Sequence, residues 1–453
     1  MKVLMAAYTN YRVDARVRRE AEALVDAGHH VTFLASRRPG EPSRETIAGV
    51  DVIKLPGLRN SRKSKVVYIL DYLVFTLMVF GHLLRRPRRY HLLHINNMPD
   101  FLAFAAVVPR LLGRPVIHDV HDLMPELFSG KFDCSEKNWM LGLLRWQERA
   151  AGALASAVLT VEVGVKDILA SRGISPDKIH VLLNLPDERI FAHRGRVSPK
   201  ALDSPFVLVY HGTLAHRLGL DIAIEAVAEA RAEVPQLQLR IIGEGEERAG
   251  LIALRDRLGL REHVSFSEGP VPVQQIPPLI ADADLGVVPL RRSSGTDIML
   301  PTKLLEYVAM GIPCIASKNA AIARYFDDSM IELCEAEDAH ALAAAIVRLR
   351  NDPGRRAALS HEATTRFAGI YTWSRHKRVY TELVERLVSG DPQRPSPARS
   401  SRESGRPESA ADANVHNHRP DRRPQPVRGE VRKSHLPRRS TVPDYERMEL
   451  GDT

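Results

Sequence analysis

The sequence predicts an α/β fold of two doubly wound, Rossmann-like domains that face each other across a cleft, followed by a disordered C-terminal tail. Three observations carry that prediction. Short apolar runs alternate with helical patterns, the signature of a parallel sheet covered on both faces. The alternation occurs twice, and a polar, basic stretch with two prolines, residues 192–205, separates the two series. From about Ser389 the apolar residues almost vanish in favour of Pro, Arg, Ser, Asp and Glu. A segment of that kind buries too little surface to offset its ordering entropy.

Taken in order, residues 2–9 (KVLMAAYT) read as the first strand. A helix follows over Asp14–Ala27, stopped by Gly28. His30–Ala35 and Val50–Leu55 are extended, and a long apolar segment runs over Val66–Leu84. Next come a strand at Tyr90–Ile95, a helix at Phe101–Leu112 and a strand at Pro115–Asp119. Trp139–Leu154 is helical, Ala157–Val161 extended and Val163–Arg172 helical, and Ile179–Leu183 closes the first half. The second half has strands at Phe206–His211, Gln238–Ile242, Val264–Phe266, Leu285–Val288 and Cys314–Ala316, with helices between them. An aromatic hinge, Tyr371–Trp373, leads into a last helix over Ser374–Val388. The organisation expected is a first domain over 1–191, a linker over 192–205, and a second domain over 206–370. A helix over 371–388 then returns toward the first domain, and the tail covers 389–453.

A chain of 453 residues, 44% hydrophobic, is ample for two packed cores. The net charge of +9 fits anionic partners such as nucleotide phosphates or anionic lipid, although part of it lies in the tail. The basic residues are not interleaved with aromatics, which counts against a nucleic-acid binder. Cys134, Cys314 and Cys334 have no CxxC spacing, so neither a disulfide framework nor a zinc site is expected, and a reducing, cytoplasmic setting fits. The opening MKVLMAAYT turns polar too quickly for a signal peptide and reads as a buried strand.

Four stretches carry candidate chemistry. In Pro301–Pro313 (PTKLLEYVAMGIP), Pro301 or Thr302 can start a helix with the Thr hydroxyl as cap. The free N–H groups and the positive dipole end would face an anion, and Lys303 adds a full charge there. Glu306 lies one turn on, on the same face, where a ribose diol would sit. The alternative is an ordinary amphipathic helix with a surface Lys–Glu pair. In Tyr210–Asp221 (YHGTLAHRLGLD), Gly212 follows a strand and lets a ligand approach the backbone, and Arg217 can clamp a diphosphate. The alternative is a turn glycine and a solvated Arg. In Ile241–Glu247 (IIGEGEE), the GxGxxG spacing fails and the acids would repel phosphate, so Gly243 and Gly245 shape a loop beside a base or simply a tight turn. In Ile117–Glu126 (IHDVHDLMPE), His121 can contact a transferred sugar, whereas His118 and Asp119 fit a strand. There is no separated DxD pair suited to Mg²⁺, and no metal or other cofactor is expected.

In their order and spacing, these pieces resemble GT-B glycosyltransferases, and among them the retaining glycosyltransferase family 4. The first helix and second strand (DARVRREA, then AGHHV) resemble that family as well, and the likeness spans about residues 1–388. It implies that Glu306 holds the donor ribose, that Lys303 and Arg217 neutralise the diphosphate, and that His121 sits by the donor sugar. Gly212, Thr213, Gly243, Glu244, Asp297, Thr302 and Leu304 would complete the donor site, and Asn184 belongs to the turn that closes the first domain. The family's first acid falls at Ile298 here, with Asp297 adjacent. Thr213 stands where the family has an Arg, and Leu218 where it has a Lys, with Arg217 adjacent. The implied activity is metal-independent, retaining transfer of a hexose-type sugar from a nucleotide-sugar to a glycan, in cell-surface or exopolysaccharide synthesis. Two other readings remain: a nucleotide-sugar epimerase on the same fold, and a non-catalytic nucleotide-sugar-binding relative.

The segment 59–89 stands out in the first domain. Arg62, Lys63 and Lys65 precede the apolar run, and Arg85, Arg86, Arg88 and Arg89 follow it. Spanning a membrane is not expected, because the strands on both sides belong to one sheet. A helix packed on the sheet and a helix at an anionic lipid surface are both open, and both hold if one face packs and the other meets lipid. A lipid-linked glycan acceptor, and a peripheral place on the cytoplasmic face of the plasma membrane, would follow from the second.

Overall fold

The computed structural model describes residues 1–57, 65–132, 138–192 and 204–390. The tail from 391, most of the 192–205 linker, the basic residues 62 and 63, and Cys134 lie outside the described residues. Two sheets organise the rest.

The first sheet has eight strands: β1 (Lys2–Ala6), β2 (His30–Arg37), β3 (Arg44–Ile47), β4 (Val50–Pro56), β5 (Leu92–Asn96), β6 (Val116–Val120), β7 (Ala157–Thr160) and β8 (Ile179–Val181). Their order is β3-β4-β2-β1-β5-β6-β7-β8. Every pair is parallel except β3–β4, a hairpin whose turn places Ala48 and Gly49 at positive φ. The second sheet has β9 (Phe206–His211), β10 (Leu237–Ile242), β11 (Val264–Phe266), β12 (Leu285–Val288), β13 (Cys314–Ser317) and β14 (Glu332–Cys334). Its order is β11-β10-β9-β12-β13-β14, all parallel. In each sheet the chain reverses direction once, at β1/β5 and at β9/β12. Such switch points open a crevice at the carboxyl ends of the strands.

The strands are near-continuous apolar runs because both faces are covered. Some exceptions matter for the site: His94 and Asn96 in β5, His118 and Asp119 in β6, and His211 in β9 are polar yet buried. Elements beyond those expected are β3, β14 and a helix over Met124–Phe132. β3 (RETI) is polar and half-exposed, so it lacks an apolar run to signal it. The expected helix at 101–112 is a 3₁₀ turn over Asp100–Ala106, with α-helix only at Val107–Leu111.

The apolar segment forms one helix, Lys65–Arg85. Tyr72, Phe75, Val79 and Leu83, at helical spacing, are buried on the first sheet. No helix among the described residues is long and apolar enough to cross a membrane.

The C-terminal helix, Trp373–Ser389, is capped by Thr372 and returns to the first domain. Tyr380, Leu383 and Val384 join a core that also contains Val3, Met5 and Leu24. Lys377 pairs with Asp26, and Ser374 N–H donates to Glu188 Oε1. The helix therefore follows the second domain in sequence and fastens to the first in space.

Candidate active site at the interdomain cleft

The second-domain wall starts at the helix Thr302–Met310. Pro301 is its N-cap and no side chain caps it, so the expected Thr302 hydroxyl cap is not formed. Among the described residues no side chain thus covers the first N–H groups of the helix. Gly311 ends the helix in the left-handed conformation, φ 73°, as expected. Lys303 is buried, with Nζ 4.8 Å from the centre of the Tyr210 ring. Among the described residues it has neither a hydrogen bond nor an ion pair. Burial pushes its pKa down to about 8; Glu306 opposes that shift and Arg217 adds to it. A buried ammonium above a tyrosine face, at an uncapped helix start, is a place prepared for an anion. Leu304, expected at the donor, instead points into the core, and its N–H is taken by Pro301 O.

Glu306 lies one turn on. His211, at the end of β9, brings Nε2 to 2.5 Å from Glu306 Oε2 and Nδ1 to 3.1 Å from the Tyr307 hydroxyl. Sequence reasoning looked past His211 to the glycine beside it. A histidine closing a buried strand at the switch point was the signal available.

The two glycine turns lie back to back. Gly212 N–H donates to Ile242 O, and Leu214 N–H donates to Glu244 O. A Cβ on Gly243 would stand 1.9 Å from Gly212 O, and one on Gly245 would stand 2.1 Å from Leu214 O. The glycines at 243 and 245 are therefore required by the neighbouring turn, which is the tight-turn reading. Gly212 itself lies over Lys303: a Cβ there would be 3.6 Å from Lys303 Cε. Thr213 and Glu244 are exposed, and Glu244 faces Arg248 at 3.7 Å. Arg217 is exposed on a 3₁₀ turn, near enough to Lys303 and Tyr210 to act on their titration. Leu218 is core.

Asp297 ends a short helix, Ser294–Asp297, that packs across the cleft on Met124–Phe132. Ile298, at the family's acid position, packs on the first-domain cluster containing Val120 and Leu123. Asp297 is half-buried at that junction.

On the first-domain wall, His121 follows β6 and is buried. Its N–H donates to Asn97 Oδ1 at 3.0 Å. Its Nε2 lies 3.1 Å from Asn96 Oδ1 and 3.2 Å from Asp119 Oδ2, while Nδ1 has no hydrogen-bond partner among the described residues. Asp119 Oδ2 is also 3.1 Å from His94 Nε2, and His94 Nδ1 is 2.7 Å from the Tyr380 hydroxyl. Glu20 completes the cluster, with Oε2 3.9 Å from His94 Nε2. Burial, then repulsion from Asp119, lifts Glu20 to about 8. Burial likewise lifts Asp119 to about 6 and lowers His94 to about 4. Burial also holds His121 well below its ordinary value, so its ring is neutral. Glu20, Asp119 and His121 bring ligand-type atoms within 4.8 Å of one another. Asp119 Oδ2 is the hydrogen-bond partner of His94 Nε2 and lies 3.2 Å from His121 Nε2.

Arg19, from the helix Ala15–Asp26, links the two walls. It donates to Leu185 O and to Asn184 Oδ1, stacks 4.6 Å from the Trp373 ring, and feels the charge of Glu306. A cavity of ≈ 250 Å³ opens beside it, lined from both domains by Arg18, Arg19, Asp187, Val273, Gln274 and Glu306. Lys303, Glu306, Arg217 and the Gly212 turn thus form one wall, and His121 belongs to the other.

Comparison with known proteins places this geometry. The model for glycosyl transferase 4-like domains matches residues 13–184, and that for glycosyl transferases group 1 matches residues 205–352. A D-inositol 3-phosphate glycosyltransferase of Thermobispora bispora is 31% identical over 327 residues, 66% of this chain and 72% of that protein. A GDP-mannose-dependent alpha-(1-6)-phosphatidylinositol monomannoside mannosyltransferase of Mycolicibacterium smegmatis is 33% identical over 156 residues, 34% of this chain and 41% of that protein. The chain thus spans well under half the length of that relative. Among solved structures, a sucrose-phosphate synthase of Thermosynechococcus elongatus superposes with a TM-score of 0.69 at 20% identity, over 86% of this chain and 100% of that one. Two parallel-sheet domains, a GT4-like first half and a group 1 second half that share one cleft assign the chain to the group 1 glycosyltransferases of GT-B fold.

Proposed function

We propose that the protein is a metal-independent, retaining glycosyltransferase that moves a hexose-type sugar from a nucleotide-sugar donor to a glycan in cell-surface or exopolysaccharide synthesis. The observation that carries this is Lys303: a buried cation in no ion pair among the described residues, at a helix start without a side-chain cap and one turn from Glu306. In this reading the donor diphosphate lies on Lys303, Arg217 and the helix N-terminus, and the ribose displaces His211 from Glu306. His121 meets the sugar. The bond from the anomeric carbon to the phosphate oxygen breaks, and the acceptor oxygen bonds on the same face. The departing phosphate oxygen takes the acceptor's proton, and a nucleoside diphosphate leaves. Fixed cations in a dry cleft stabilise the charge that develops on it, so no protein base is assigned. The Mycolicibacterium relative is GDP-mannose-dependent by name, which supports a nucleotide-sugar donor.

The acceptor side is argued from a surface. On Lys65–Arg85, the side chains of Ile69, Leu70, Leu73, Leu77 and Leu84 are exposed on the side away from the core line. On the helix Trp139–Leu154, Trp139, Leu143 and Trp146 are exposed at i, i+4 and i+7. Both helices pack on the Asp100–Ala106 turn. The acids of these segments are engaged: Asp100 and Glu148 are buried, and Asp71 is bonded to Tyr8. Arg85, Arg86, Arg88, Arg89 and Arg149 are exposed. An apolar face with a cationic rim fits an anionic membrane and a lipid-linked glycan acceptor, and hence a peripheral place on the cytoplasmic face of the plasma membrane. Leu73→Glu with Leu77→Glu is expected to abolish sedimentation with phosphatidylglycerol vesicles. Wild-type protein that ignores such vesicles would remove the membrane part of the proposal.

The donor test is thermal shift and nucleoside diphosphate release with UDP-, GDP- and ADP-sugars, in the presence of EDTA. Stabilisation by one nucleotide class without metal supports the reading. No stabilisation by any of them would leave a non-catalytic relative.

A further inference from the structure

The second domain meets the first at a place that the transfer chemistry above does not use: the start of the helix Val163–Ser171, which follows β7. We propose that Arg324 is a positioning residue for the donor: its ion pair with Glu162 docks the second domain on that helix start and, through Asn319, fixes the segment 296–299 that leads into Pro301 and Lys303. The dock stands on geometry, and only its effect on the donor rests on the glycosyltransferase reading.

Glu162 has two tasks, one for each carboxylate oxygen. It is the N-cap of Val163–Ser171, and Oε2 accepts from Val165 N–H at 3.2 Å. Oε1 is buried without a hydrogen bond among the described residues and stands 3.7 Å from Arg324 Nε. Arg324 lies in the last turn of the helix Ala320–Tyr325 in the second domain, and it also comes within 3.5 Å of a second first-domain acid, Asp167. Burial raises the Glu162 pKa, and the Arg324 charge opposes that rise. The glycine at 164 fits the same contact. Glycine is a poor helix former, yet a Cβ there would stand 2.7 Å from Glu162 Oε2 and 3.4 Å from Arg324 Nε and Nη2. A residue without a Cβ leaves room for the carboxylate and the guanidinium together.

The helix Ala320–Tyr325 is tied at its other end to the donor wall. Asn319 caps it, with Oδ1 accepting from Ile322 N–H at 2.6 Å, and Nδ2 donates to Thr296 O at 2.8 Å and to Met299 O at 3.1 Å. Those two carbonyls bracket Ile298, which packs on the first-domain cluster containing Val165 and Leu169 of the helix Val163–Ser171. One asparagine thus joins the two second-domain contacts, one ionic and one apolar, that meet the same first-domain helix. Two residues beyond Met299 the chain reaches Pro301, the N-cap of the Lys303 helix. Tyr325, next to Arg324, packs edge-on to Phe367 at 6.2 Å and to Tyr371 at 5.9 Å, so the same short helix also touches the segment that leads to the returning C-terminal helix. A buried carboxylate without its counter-charge is costly. With Arg324 removed, the docked arrangement carries that cost, and the segment before Lys303 is no longer held in one place against the first domain.

The test is hydrogen exchange of the full chain read by mass spectrometry, with calorimetric titration by UDP, GDP and ADP. Arg324→Ala should speed exchange in peptides covering 163–171 in the first domain and 294–301 in the second, and weaken binding of the diphosphate that wild type takes by about fivefold. Glu162→Gln keeps an oxygen for the Val165 cap and loses the charge. It should match Arg324→Ala, and the double variant should match either single one, because the pair is already broken. Arg324→Lys should recover most of the affinity. Additive effects of the two substitutions, or an Arg324→Ala variant with unchanged exchange over 163–171, would overturn the dock. Faster exchange with unchanged affinity for the diphosphate would overturn the link to the donor. Faster exchange in a protein that binds none of the three diphosphates would uphold the dock and overturn the donor reading itself.

Discussion

Raising the pH past 8 should weaken donor binding by removing the proton from Lys303. Burial is the main reason its pKa falls from 10.5 to about 8. That drop corresponds to about 3 kcal/mol of differential interaction against the charged form. A diphosphate set beside the ammonium restores the charged form, so above pH 8 binding must take up a proton. Affinity should be flat from pH 6.5 to 7.5 and then fall toward about tenfold per pH unit. The same physics has a sign for stability. Between pH 8 and 10.5 the unfolded chain holds the Lys303 proton and the folded chain does not, so this group's contribution to stability rises with pH. Below pH 8 the buried charge is carried at a cost. Lys303→Met should therefore make the ligand-free protein more stable at pH 7, by about 1–2 kcal/mol, while abolishing thermal stabilisation by the donor. Calorimetry in buffers of different ionisation enthalpy measures the proton uptake directly. A wild-type affinity that stays flat to pH 9 with no proton uptake, or a Lys303→Met variant that binds the donor as well as wild type, would refute the assignment.

Three further outcomes are expected. Glu306→Ala should reduce donor affinity about tenfold or more with the fold retained, measured by titration with the nucleoside diphosphate and by circular dichroism. Glu20 is lifted from 4.5 to about 8, so between those values the folded chain holds a proton that the unfolded chain has lost, and stability falls as pH rises; Glu20→Gln should flatten that decline in urea titrations at pH 5, 6.5 and 8. Gly243→Ala should cost about 3 kcal/mol or more, because its Cβ would stand 1.9 Å from Gly212 O at a φ of 148°, and a near-native melting temperature would show that the two turns separate more easily than their packing implies.

Much of the fold was legible because parallel strands buried on both faces announce themselves as apolar runs. The helix Trp139–Leu154 and the strands at 206, 264 and 285 fall where those runs place them. β3 was not legible, since a polar edge hairpin depends on a turn and a neighbour rather than on its own pattern. Lys303, Glu306, His121 and Arg217, which the structure places along the cleft, stand out in the sequence because each lies in a short motif whose local geometry is set by nearby residues. His94, Glu20 and Tyr380 do not. Each looks like an ordinary residue of a strand or helix, and its meaning comes only from the packing that brings residues 20, 94, 119, 121 and 380 together. Leu304 shows the converse: it lies inside the same motif as Lys303, yet helical periodicity turns its side chain to the core.

Ile298 shows how the two walls depend on each other. The family pattern puts an acid there, but in this chain the side chain is apolar and packs against the first-domain cluster that runs from Val120 and Leu123 to Ile174 and Ile179. Val120 and Leu123 bracket His121, so a second-domain side chain packs on the cluster that includes the residues on either side of the first-domain histidine. Opening the cleft must peel Ile298 from that cluster and expose apolar surface, at about 25 cal/mol per Å². Closure regains the same term. Ile298→Ala should accordingly loosen the closed arrangement and raise donor KM more than it lowers donor affinity in the isolated binding step, whereas equal effects on both would place Ile298 in the donor pocket itself.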